Sequence, residues 1–254
     1  MHFSTLSRIG RLLLDALVPR HCAGCERGIW AEPNPAFCRG CWEQIPWFAD
    51  GGCPGCAIPF ASPHARSHSP THRCGRCRRR PRRFDGATAA GPYEGALAKA
   101  IHLFKYHRGR NLAEPLAEAL VPWLAPLPAP DWLVPVPLNV ARLRQREYNQ
   151  SLLLADAIAR RLGYRVAATA LQRPRDTPSQ ALLSERDRRR NIRGAFRLAR
   201  APGVEGRAVW LIDDVLTTGA TAEECARVLK RSGAAAVHLV AVARALRAPA
   251  GGTA

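Results

Sequence analysis

The chain has 254 residues, 38 of them basic against 20 acidic, for a net charge of +18, and arginine outnumbers lysine 35 to 3. That skew points to a GC-rich coding bias as much as to function, so the clustering of arginines informs more than their total. No apolar run reaches the length of a transmembrane span, and the stretch after Arg8 and Arg11 is too short for a secretory signal, so neither an integral membrane protein nor an exported one is expected.

In chain order, Leu6, Ile9, Leu13 and Leu17 are spaced for one face of a helix, which would pack on the rest of the protein or lie on a membrane surface. Eight of the nine cysteines then fall into four Cys-x-x-Cys pairs: Cys22/Cys25, Cys38/Cys41, Cys53/Cys56 and Cys74/Cys77. Twelve residues separate the first two pairs and seventeen the last two, spacings that suit two four-thiolate zinc sites in series. Pairing of the first pair with the third is a second arrangement. Gly24, Gly40, Gly55 and Gly75 sit inside the knuckles, where the backbone must turn its N–H groups toward sulfur, and this favours two structural Zn²⁺ over disulfides. His64, His68 and His72 are either exposed loop residues or substitute ligands. Trp30, Phe37, Trp42, Trp47 and Phe48 read as a miniature core, or as stacking surfaces for bases. Residues 73–83 carry seven arginines and no acid; Arg78, Arg79, Arg80, Arg82 and Arg83 would neutralise nucleic-acid phosphates or simply stay solvated. Residues 1–83, poor in aliphatic runs, would be folded by metal.

From Phe84 the composition changes to short apolar strands alternating with Ala- and Leu-rich helices, as a parallel α/β sheet requires. Strands are expected at 84–92, 132–137, 165–171, 207–213 and 235–243, and helices at 94–106, 111–124, 148–162 and 220–232. The Pro-rich stretch 122–130 reads as a linker. Residues 84–247 would form this second domain and 248–254 a disordered tail. Cys225, on the last helix, reads as a small core residue.

Residues 209–221, Val-Trp-Leu-Ile-Asp-Asp-Val-Leu-Thr-Thr-Gly-Ala-Thr, carry the most chemistry. A buried strand delivers Asp213 and Asp214 to its carboxyl end, where α/β sheets bind ligands. Val215 leads into Thr217, Thr218, Gly219, Ala220 and Thr221, hydroxyls and approachable N–H groups at a helix start that favours phosphate. All 13 positions resemble the phosphoribosyl pyrophosphate (PRPP) motif of type I phosphoribosyltransferases. Pro137, Leu138, Asn139 and Arg142 follow a stiff strand end and open a basic loop suited to pyrophosphate. Residues 177–196, with Arg186, Arg190 and Asn191, suit a flap closing over a phosphorylated ligand.

With the cysteine pairs, the segment Ile101-His-Leu-Phe-Lys-Tyr106 and Glu147-Tyr148-Asn149-Gln150, the chain from about residue 12 to 244 resembles the competence protein F (ComF) family. Tyr148 replaces a common Phe, and Asn139 a common His. The resemblance implies a double zinc ribbon before a type I phosphoribosyltransferase-like domain, and a role in DNA uptake during natural transformation. It implies binding of PRPP or a nucleotide 5′-phosphate with Mg²⁺, the acids on the ribose hydroxyls and the Thr217–Thr221 turn on the phosphate. Single-stranded DNA and a helicase-like competence protein are the expected partners, in the cytoplasm or peripherally at the inner face of the membrane. An active phosphoribosyltransferase, with Asp213 and Asp214 catalytic and the acceptor unidentified, is the alternative.

Overall fold

The computed structural model describes residues 20–29, 32, 34–49, 52–62, 65, 69, 71–106, 109–175, 185–199 and 203–246. The helix expected around Leu6 to Leu17, residues Trp30, His64 and His68, and the tail lie outside them. A hairpin of β1 (Arg20–His21) and β2 (Gly28–Ile29) and two single-turn helices, α1 (Arg39–Glu43) and α2 (Gly75–Arg79), make up the cysteine-rich part. Each of these helices starts directly after a cysteine, Cys38 or Cys74.

Four strands, β3 (Gly86–Pro92), β4 (Trp132–Pro135), β7 (Ala208–Leu216) and β8 (Ala236–Arg244), form one sheet in the order β3-β8-β7-β4, every pair parallel. All seven residues of β3 are buried, and alternate residues of β7 and β8 enter opposite cores: Trp210, Ile212, Val240 and Val242 on one face, Val209, Leu211, Val237 and Leu239 on the other. A sheet apolar on both faces needs helices on both. The first face receives α3 (Gly95–Tyr106), α4 (Ala113–Leu124) and α6 (Gln150–Leu162) through Leu97, Ile101, Phe104, Leu116, Leu120, Leu154 and Ile158. The second receives α8 (Ala220–Arg231) through Ala222, Cys225, Ala226 and Leu229, and Cys225 is a buried core residue as the sequence suggests.

Three elements differ from expectation. The strand at 165–171 reduces to one parallel bridge of Val166 to Leu133, after which Leu171–Gln172 (β5) pairs antiparallel with Arg197–Leu198 (β6). The basic loop after Leu138 is a helix, α5 (Val140–Arg146), because the Asn139 side chain accepts the Arg142 N–H at 2.8 Å as an N-cap. The Pro-rich stretch begins inside α4, whose last turn contains Pro122. A further helix, α7 (Glu185–Ile192), lies within the expected flap.

Ala23, Ala36, Phe37 and Ile45 of the first cysteine module share one core with Leu97, Phe104 and Leu116. Phe37, Trp42, Trp47 and Trp123 stack in succession at 5.9, 4.9 and 5.6 Å between ring centres, so these aromatics act as core. Lys99 donates to the Gly24 carbonyl at 3.0 Å and the Trp123 indole to Phe48 at 2.8 Å, fixing the module to α3 and α4.

Candidate functional site

The cysteines gather into two groups, Cys22, Cys25, Cys38 and Cys41, and Cys53, Cys56, Cys74 and Cys77, with the sulfurs of each within 4.8 Å of one another. Pairing is therefore sequential, not interleaved. Backbone N–H groups turn toward sulfur as the knuckle glycines suggest: Gly24 and Cys38 donate to Cys22 Sγ at 3.4 and 3.3 Å, and Cys74 to Cys53 Sγ at 3.2 Å. A hydrogen bond from Cys56 brings the Cys53 thiol down to about 4 while pushing Cys56 up. Four sulfurs at this spacing, with N–H support, fit tetrahedral Zn²⁺. His72 instead stacks on Phe60 at 5.4 Å.

Asp213 and Asp214 lie on β7 near its carboxyl end and face a cavity of about 140 Å³. Lys105, from the last turn of α3, pairs with Asp214 at 3.1 Å. Burial opposes the lysine's charge, but Asp214 and then Asp213 raise its pKa above the ordinary value. Asp213 accepts from the Ser151 hydroxyl at 3.3 Å and from the Asp214 N–H at 2.9 Å. Burial, then the charge of Asp214, push Asp213 up to about 7 against the opposing pull of Lys105. Pro137, Leu138, Arg142, Arg146 and Arg173 complete one wall, and Thr221 the other. The cavity thus sets two carboxylates against four cationic side chains.

The turn after β7 is held from behind. Gly219 takes φ 83°, a left-handed conformation that admits glycine most readily, and the Ala220 N–H reaches the Thr218 hydroxyl at 3.4 Å. Thr217 is exposed, Thr218 and Thr221 are half-buried, and Val215 is buried beneath them. Arg244, 3% exposed at the end of β8, donates to Leu216 O and Ala245 O at 2.7 Å, to Thr217 O, and to Cys56 O at 2.9 Å in the second knuckle set. Arg82 donates to Thr218 O at 3.0 Å and pairs with Glu223 at 2.6 Å.

Of the residues singled out in the sequence, the structure brings Pro137, Leu138, Arg142, Asp213, Asp214 and Thr221 to one cavity. Asn139 is 2% exposed and serves as a helix cap. Arg82 must be withdrawn from the arginine patch, since its side chain is 3% exposed and engaged with Glu223 and the turn after β7. Arg190 is exposed on α7 and Asn191 half-buried, its carbonyl accepting from Arg175; neither lines the cavity, and the side chain of Arg186 lies outside the described residues. Arg146 belongs to the basic loop expected to suit pyrophosphate and does line the cavity, whereas Lys105 and Gln150 occur in segments noted for the family resemblance without a place in the site. Lysine in so arginine-rich a chain was the signal for Lys105. Ser151 and Arg173 carried none.

The double zinc ribbon domain model matches residues 13–79, and the phosphoribosyl transferase domain model residues 149–251. The DNA utilization protein YhgH of Escherichia coli (strain K12) is 36% identical over 200 residues, covering 76% of this chain and 84% of that protein. Competence protein F of Haemophilus influenzae is 30% identical over 233 residues, covering 88% and 96%. Among solved structures, the glutamine PRPP amidotransferase from B. subtilis complexed with ADP and GMP matches at 24% identity with a TM-score of 0.33, covering 52% of this chain and 25% of that one, too slight a likeness to build on. Two four-cysteine groups, a parallel sheet with helices on both faces and the match to competence protein F along nearly its whole length lead to one assignment: the chain belongs to the competence protein F family, a double zinc ribbon followed by a phosphoribosyltransferase-like domain.

Proposed function

We propose that the cavity at the carboxyl end of β7 binds PRPP or the 5′-phosphate end of a nucleotide together with Mg²⁺, in a protein that serves DNA uptake. The observation that carries this reading is the pairing of Asp213 and Asp214 with a wall of Lys105, Arg142, Arg146 and Arg173. Carboxylates accept from ribose hydroxyls, and the cationic wall matches a diphosphate. The turn from Thr217 to Thr221 takes the 5′-phosphate at the start of α8. Asp213 and Asp214 also offer the oxygen face that a hard cation prefers, and Mg²⁺ would neutralise the phosphate charge there. At about 140 Å³ the cavity is smaller than a whole-ligand pocket of roughly 300 Å³ or more, so it suits the charged end of such a ligand. The names DNA utilization protein and competence protein F, borne by relatives, support a role with DNA, and the partners proposed for it are single-stranded DNA and a helicase-like protein. No described helix is long and apolar enough to cross a membrane.

Thermal unfolding with and without PRPP and Mg²⁺ tests the reading. Ligand at about 100 times its dissociation constant stabilises by roughly 2.7 kcal/mol, and Asp213→Asn with Asp214→Asn should abolish the shift. No shift in the native protein would overturn the site.

One observation favours a second reading, an active phosphoribosyltransferase. Asp213 titrates near 7, the range in which a carboxyl can move a proton at neutral pH. Pyrophosphate release from PRPP that disappears in Asp214→Asn would establish turnover; no release with any base, amine or nucleotide would count against it.

A further inference from the structure

A charged groove of about 520 Å³ lies outside the sugar-phosphate cavity, between the second zinc module, α8 and the chain after α7. Arg80 and Arg83 line it on one side, Arg193 and Arg231 on the others, and Ala220 and Gly194 lie between them. Two acids also face it, and both are already satisfied. Glu224 accepts from Arg227 at 2.6 Å and from the Gly194 N–H at 2.7 Å, and these contacts hold its pKa below the ordinary value despite burial. Glu223 is paired with Arg82 at 2.6 Å. Arg80, Arg83, Arg193 and Arg231 are all exposed, and among the described residues none of them is in a salt bridge. Three separated chain segments thus deliver four guanidinium groups outside any described salt bridge to one concave surface, with Arg83 near enough to Glu224 to help lower its pKa. Guanidinium groups match phosphate oxygens in a planar, often bidentate way.

We infer that this groove binds the phosphodiester backbone of a single nucleic-acid strand. The inference rests on the DNA-related reading above and gives it a location. That location is not the run Arg78 to Arg83: Arg82 faces inward, Arg78 and Arg79 do not line the groove, and Arg193 and Arg231 join it from 110 and more residues downstream. The single-stranded form follows from the reading above, and a duplex of the same length is the competing occupant in the test. The groove also adjoins the sugar-phosphate cavity, because Ala220 lines the first and Thr221 the second within one turn of α8.

The test is fluorescence anisotropy of a labelled single strand of thymidines across a potassium chloride series. The native protein would be compared with Arg80→Ala/Arg83→Ala, with Arg193→Ala/Arg231→Ala, and with Arg160→Ala/Arg161→Ala, which removes equal charge from the distant α6 surface. Each lost phosphate contact lowers the slope of log K against log salt by about 0.7 for a single strand, so each groove pair should flatten it by about 1.4 and weaken binding about tenfold or more at low salt. The control pair should leave slope and affinity near native. Unchanged slopes in both groove pairs, or equal losses in the control pair, would overturn the inference; so would tighter binding of a duplex of the same length. The PRPP-induced thermal shift should persist in both groove variants, so the sugar-phosphate reading stands or falls on its own.

Discussion

Arg244→Met should loosen the phosphate turn and the second zinc module together. Arg244 is buried, and its four acceptors are backbone carbonyls: Cys56 in the knuckle, Leu216 and Thr217 before the turn, and Ala245. Leu216 O keeps a second donor, the Ala245 N–H at 3.0 Å, so the substitution strands three carbonyls, those of Cys56, Thr217 and Ala245. At about 1 to 1.5 kcal/mol for each acceptor left unmade, the loss is at most about 3 to 4.5 kcal/mol, since the bonds to Thr217 and Ala245 are part-buried and water can replace them. Burial already pulls the Arg244 pKa down to about 10, so methionine, which carries no charge, recovers part of that, and we expect the lower end, about 3 kcal/mol. In a chain of this size each kcal/mol moves the melting temperature by about 2 to 4 °C, which gives a fall of about 6 to 12 °C. Calorimetry on zinc-loaded protein reads that fall, and the same sample with PRPP and Mg²⁺ should show a diminished ligand shift. A variant melting within about 2 °C of the native protein would refute the account, because the three carbonyls would then have found other donors.

Lys105→Met removes the salt-bridge partner of Asp214 and leaves it beside Asp213, and breaking such a part-buried pair should cost about 3 kcal/mol at pH 8, less at pH 6 where a carboxyl can hold a proton; melting curves at the two pH values check it. The folded state raises Asp213 from 3.8 to about 7, so it holds a proton that the unfolded chain gives up. That contribution is complete below about 4 and is lost as pH rises through about 7. Asp213→Asn should therefore gain on the native protein, in stability, between pH 5 and 8, and parallel curves would exclude the shift. Elemental analysis should give about two Zn²⁺ per chain and about one in Cys56→Ser, whose ligand-induced thermal shift should also shrink because Cys56 is tied through Arg244 to the phosphate turn.

What the sequence discloses is what local spacing dictates. Cys-x-x-Cys pairs bring two sulfurs together whatever the rest of the chain does, so both cysteine groups were legible, while their sequential pairing depends on which knuckles fold against each other. The run from Val209 to Thr221 was legible because strand, acids and turn are contiguous. Strands β3, β7 and β8 read as continuous apolar runs, since both of their faces are covered. The Val166 to Leu171 stretch misled, because its one parallel bridge lies at a sheet margin and the chain then turns to meet β6. Asn139 looked like a ligand and is a cap; Arg82 looked like surface charge and is a buried brace. Lys105 pairs with Asp214 and Arg173 lines the same cavity, both from elements distant in sequence, and no local pattern marks such a meeting.

The core shared by Phe37, Ile45, Leu97 and Leu116 sets the unit of cooperativity. The first zinc module, whose aromatics interlock with Trp123, cannot open as an independent foldon without exposing apolar surface on α3 and α4, and the second cannot open without releasing its Cys56 carbonyl from Arg244. Metal occupancy and the affinity of the proposed sugar-phosphate site would then be linked quantities. On the proposed function, zinc lost from the ribbons would be felt as weaker ligand binding, and bound ligand would, by reciprocity, raise the affinity for zinc.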